Sequence, residues 1–129
     1  ETFVLVDAAG VSTTYEVNTA VAHGSQPGGT AGGTVQLGTS GTGGGAGGKV
    51  NAAAAIAAAI NATTNAGFTA VSDGTDTVTV TLTTAGTVGN KNNTDSIAGV
   101  TVGHFTGGTD WTERWLSCCS VVLKARLRN

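Results

Sequence analysis

Residues 49–83 read KVNAAAAIAAAINATTNAGFTAVSDGTDTVTVTLT, and two different periodicities meet inside this stretch. The first half has the helical one. Alanine is the strongest helix former, and Val50, Ala53, Ile56, Ala57 and Ile60 fall three and four residues apart on one stripe. A helix from Lys49 to about Thr63 is predicted, with Asn65-Ala66-Gly67 as its stop. In the second half Val78, Val80 and Leu82 alternate with Thr77, Thr79, Thr81 and Thr83. That period of two belongs to a strand with one apolar face and one hydroxyl-bearing face. Phe68–Ser72 is expected to pair with it as a hairpin, turning at Asp73-Gly74-Thr75-Asp76.

Residues 3–6 and 11–17 are two β-prone runs around Asp7-Ala8-Ala9-Gly10, a second predicted hairpin. Residues 23–34 hold the single proline and five glycines and are predicted as a loop. Val35–Leu37 reads as a short strand. The glycine-dense run 38–48 is expected to be mobile unless something holds it. Residues 86–99 are predicted as a Gly- and Asn-rich loop, and Val100–Phe105 as a last strand. The expected fold class is α+β: one Ala-rich helix packed on an antiparallel β-sheet, in the order β-β-β-α-β-β-β. Candidate core or interface residues are Phe3, Leu5, Leu37, Ile56, Ile60, Phe68, Val78, Val80, Leu82 and Val100.

The 129 residues suit one small domain, with little material for its core. Ala, Gly and Thr make up almost half the chain, and 11% of residues are charged. Residues 1–110 carry a net charge of −5, with Lys49 and Lys91 as their cations, so no basic surface for a nucleic-acid backbone is expected. Nine mostly alanine residues, 52–60, form the longest apolar run and are too short to span a bilayer. No leader segment is expected within the first residues of the given sequence. The chain opens directly on a strand-like run, and it is expected to be a mature product or a piece cut from something longer.

After Asp110 the composition changes. Residues 111–129 contain both tryptophans, both cysteines and four of the six basic residues, and no glycine. A C-terminal helix is one account, and a non-native or out-of-frame extension is another; the second is the expectation taken. The expected division is thus a single α+β domain over 1–110 and an atypical tail over 111–129. Cys118 and Cys119 are adjacent, which gives neither a disulfide framework nor a zinc site.

Several motifs invite chemistry. Gly43 to Lys49 fits the first seven positions of a phosphate-cradling loop, but Val50 stands where a magnesium-binding Ser or Thr belongs. His23 and His104 lack partner spacing for a metal. Asp73 with Asp76, or Asn92, Asn93 and Asp95, offer oxygen-rich loops for calcium; turn chemistry is the plainer role. Asn61-Ala-Thr63 and Asn92-Asn-Thr94 match glycosylation acceptors, as a Thr-rich chain will by chance. The threonine row could meet a regular surface or a glycan, although strand propensity alone accounts for it. No catalytic, cofactor or metal site is assigned, and no enzyme activity is expected.

The runs 51–61, 67–74, 77–90 and 97–110 resemble modules in virion structural proteins of tailed phages, often seen in environmental viral sequences. The same helix followed by GFTA, DG, VTVT and TAG is similar to small α+β inserts of flagellar hook-associated proteins. The resemblance covers residues 1–110 and departs after Asp110. It implies a non-enzymatic structural and assembly module on a virion or extracellular surface. It implies self-association, with a trimer or hexamer favoured, and contact with other virion proteins, but no nucleic-acid or membrane partner and no cofactor. The alternative is a surface adhesin or carbohydrate-binding module, for which Tyr15 and Phe105 are the aromatic candidates within 1–110.

Overall fold

A computed structural model describes residues 1–108 and, as backbone, residues 120–125. Among the described residues it is an α+β fold with one α-helix and mostly antiparallel strands. Strand β1 (Thr2–Val6) turns into β2 (Ser12–Ala22), and Phe3 sits directly opposite Tyr15. Gly10 makes this turn possible: its φ of +86° lies where a side chain would be strained, and its N–H donates to the Asp7 carbonyl at 3.0 Å.

The strand β4 (Thr34–Ser40) lies beside β2, and here the antiparallel expectation is corrected, because the pair is parallel. Residues 23–33 carry the chain back to the start of β2, so both strands run the same way. Within that return, β3 (Gly29–Thr30) pairs in parallel with β5 (Thr63–Thr64), which follows the helix. A reading by composition sees a Pro/Gly loop here and cannot supply its direction. The order β-β-β-α-β-β-β is corrected accordingly: four strands precede the helix and six follow it among the described residues.

The helix α1 (Gly45–Asn61) begins four residues before Lys49 and ends two before Thr63. It buries Ala53, Ile56, Ala57 and Ile60 of the expected stripe, together with Ala55 and Ala59, but leaves Val50 exposed. Asn65 and Gly67, with φ of +58° and +68°, shape the turn after β5 rather than the end of the helix. The glycine-dense run is held. Gly38 lies in β4, Gly45 to Gly48 are helical, and the Asn51 side chain donates to the Thr42 carbonyl at 2.9 Å.

Strands β6 (Phe68–Ser72) and β7 (Thr77–Leu82) form the expected hairpin. Beyond a 3-10 turn at Thr87–Gly89 come β8 (Thr94–Asp95) and β9 (Val100–Thr101). The predicted last strand, Val100–Phe105, stops after two residues because the stretch behind it is tied by side chains: Asn93 Nδ2 donates to the Gly103 carbonyl, and the Asn93 N–H donates to His104 Nδ1. Strand β10 (Ser120–Ala125), from the compositionally distinct segment, pairs antiparallel with β7 and β9. It is a strand where a C-terminal helix is one expectation.

The strands make two four-stranded sheets, ordered β4-β2-β1-β8 and β6-β7-β10-β9. The helix lies chiefly on β6, then on β4 and β7, so it bridges the two. One core results, with Phe3 stacked on Tyr15 at 4.7 Å and Phe68 on Phe105 at 5.8 Å between ring centres. Of the ten candidate core residues nine are buried, and Val100 is partly buried against them. Among the described residues no helix is long and apolar enough to cross a membrane.

Candidate functional site

The residues singled out for chemistry are mostly engaged in holding the fold. Asp73 opens the β6–β7 turn and its Oδ1 accepts from the Thr75 N–H and hydroxyl, both at 2.8 Å, and from the Thr77 N–H at 3.3 Å. The hydrogen bonds from Thr75, helped by those from Thr77, hold its carboxyl below the usual carboxylate range. Asp76 accepts from the Thr77 hydroxyl. These two aspartates serve the turn, as Asp commonly does.

The second oxygen-rich loop is equally occupied. Asn93 is buried, and its Oδ1 accepts the Val6 N–H at 3.0 Å while its Nδ2 reaches Gly103 at 2.9 Å. Asp95 Oδ2 accepts the Val102 N–H at 3.0 Å. Asn92 is exposed. Among the described residues no three His, Cys, Asp or Glu side chains gather as a metal site would require. His23 follows β2, whereas His104 follows β9 and accepts from the Asn93 N–H.

The glycine motif becomes a turn and the first helical turn, with Gly44 as N-cap and Lys49 half-buried. Of the threonine row, Thr79 and Thr83 are exposed, Thr77 and Thr81 half-buried, and Thr83 donates its hydroxyl to the Gly67 carbonyl. The aromatic candidates are a correction. Tyr15 is 0% exposed and Phe105 is 1% exposed, so neither offers a platform to a sugar ring. Tyr15 donates or accepts a hydrogen bond with the Thr63 hydroxyl at 3.2 Å, and burial pushes its own hydroxyl pKa upward. Cys118, Cys119, Trp111 and Trp115 lie outside the described residues whose side chains are placed.

Among the described residues a cleft has a volume of about 210 Å³. It lies between β2, β4 and α1, lined by Val17, Leu37, Ile56, Ile97 and Val100, with Glu1 as its carboxylate. Its chemistry is that of a small apolar recess. Its polar lining among the described residues is Glu1, Thr39 and Thr42. Leu37, Ile56 and Val100 are legible in the sequence as apolar residues, but their convergence is not.

Sequence reasoning misses three other residues altogether as functional parts of the fold. The carboxamides of Gln26, Asn61 and Asn90 each make two hydrogen bonds to the backbone of a single residue: Gly38, Ala70 and Gly108 respectively. A spacing of nine to eighteen residues between partners leaves no local pattern to find.

A scan of family models, a search of curated proteins and a search of solved structures each found no match to this chain.

Proposed function

We propose that this chain is a non-enzymatic structural and assembly module of a tailed-phage-type particle, a head decoration or a tail or fibre element. It works as a homo-oligomer, a trimer or a hexamer, among other virion proteins and at the particle surface. The observation that carries the reading is how the polar side chains are spent. Asp7, Gln26, Asn61, Asp73, Asn90, Asn93 and Asp95 all bind backbone groups of turns and strands. What is left outward is largely Thr, Ser, Gly and Ala, with Val71 68% and Val88 54% exposed. A small domain of this kind buries a modest share of its surface, and symmetric association adds to it.

Of the runs that carry the resemblance, 51–61, 67–74 and 77–90 cover the end of α1, β6 and β7, and 97–108 contains β9. The alternative, a surface adhesin or carbohydrate-binding module, has less support, because its aromatic candidates Tyr15 and Phe105 lie inside the core. The test is the solution mass of the purified chain by size exclusion with light scattering over a concentration series. A discrete trimer or hexamer is expected. A chain that stays monomeric at every concentration overturns the assembly reading.

A further inference from the structure

We propose that Gln26 and Asn61 are edge locks, side-chain amides that fill the outward hydrogen-bonding positions of two outermost strands and close them to strand addition by a second copy of this chain. The inference does not rest on the particle reading, since a monomer and a hexamer alike need closed edges.

A strand at the edge of a sheet presents unpaired N–H and C=O groups, a template for another strand. Among the described residues, strand β4 is outermost in one sheet and β6 in the other. Their neighbourhood makes the hazard real. FTAVS in β6 and TVTVTL in β7 are β-prone, uncharged and free of proline, the composition that favours intermolecular strand pairing.

Each of these edges meets one carboxamide. On β4, Gln26 Oε1 accepts the Gly38 N–H at 2.8 Å, and its Nε2 donates to the Gly38 carbonyl at 3.2 Å. On β6, Asn61 Oδ1 accepts the Ala70 N–H at 2.8 Å, and its Nδ2 donates to the Ala70 carbonyl at 2.7 Å. A carboxamide carries the same donor and acceptor as a peptide group. Each side chain therefore stands in for one residue of a neighbouring strand. Ala70 is the middle of five residues, so an incoming strand meets the lock wherever it lies along β6.

On β4 the parallel ladder sets the direction: the Thr14 N–H donates to the Gly33 carbonyl, so Gly33, Val35 and Leu37 face β2 and Gly38 faces away; on β6 the hairpin sets it. Thr83 N–H donates to the Gly67 carbonyl and Asp73 N–H to the Thr77 carbonyl, which puts the inward ladder groups of β6 on odd-numbered residues. The groups of Phe68, Ala70 and Ser72 then point away from β7. The locks come from unrelated places, a loop for β4 and the last residue of the helix for β6, yet make the same two bonds.

The experiment compares the parent chain with Gln26→Leu, Asn61→Leu and the double variant by light scattering and thioflavin T fluorescence over a concentration series. The variants are expected to grow in mass with concentration beyond the parent's own mass, with dye fluorescence raised about tenfold or more. Variants that fold cooperatively and keep the parent's mass and dye response overturn the proposal. Should the substitutions prevent folding, amide hydrogen exchange on the parent decides. Gly38 and Ala70 are expected to exchange at least about tenfold more slowly than the outward amide of Ser72, and equal rates overturn the locks. The parent's own stoichiometry is read separately, so failure of the locks and failure of the assembly reading are distinguishable.

Discussion

At the scale of single residues, Tyr15 and Asn93 show how a sparse core uses polar groups. Tyr15 stacks on Phe3 and bonds Thr63 with no exposed surface. Its neutral form is favoured by burial, so its pKa in the folded chain exceeds the ordinary value of about 10. The folded state then holds the phenol proton more tightly than the unfolded state. This stabilisation is complete below the ordinary pKa and is lost as pH rises through the folded one. Chemical denaturation between pH 8 and 11 is expected to show stability falling above about pH 10, and Tyr15→Phe to flatten that fall. Asn93 links Val6 in β1 to Gly103, and removing its amide strands both backbone groups. Asn93→Leu is expected to cost about 1–3 kcal/mol for each group left unpaired, read from the urea midpoint. The aspartates of the turn were legible as turn residues from Asp73-Gly74 alone. Asn93 was not, because its partners are 10 and 87 positions away in the chain.

At the scale of elements, glycine at two positions acts in opposite ways. In β4, a Cβ on Gly38 would sit 2.7 Å from the Ala22 carbonyl oxygen and 2.7 Å from Val21 Cγ1. The β2 strand presses on it there because its register shifts between Asn18 and Ala22. Gly38→Ala is expected to destabilise by about 1–3 kcal/mol. Gly47 lies inside α1 with nothing within 4 Å of its would-be Cβ, so Gly47→Ala is expected to stabilise by about 0.5–1 kcal/mol. Thermal melts of the two variants beside the parent check both signs. The helix, the β6–β7 hairpin and the β1–β2 hairpin were readable because their signals are local: a stripe, an alternation, a glycine in a turn. The parallel placement of β4 and the early end of Val100–Phe105 were not, because they depend on a crossover and on Asn93.

At the scale of the whole molecule, strand β10 ties residues of distinct composition into the second sheet, where it separates β7 from β9. A chain ending at Gly108 loses that strand and leaves the β7 edge open. It is expected to melt more than about 5 °C below the full chain, and an unchanged melting temperature would mean that the sheet does not need β10. Local propensity and periodicity encode the α+β class, the helix, both hairpins and nine of the ten candidate core residues, so these were legible without the fold. Which strands neighbour one another, that Tyr15 and Phe105 face inward, and that Gln26 and Asn61 meet two sheet edges emerge when the chain packs. Those outcomes turn on contacts between residues distant in the chain, whose free energy appears only when both partners are brought together and the entropy of closing the intervening chain has been overcome.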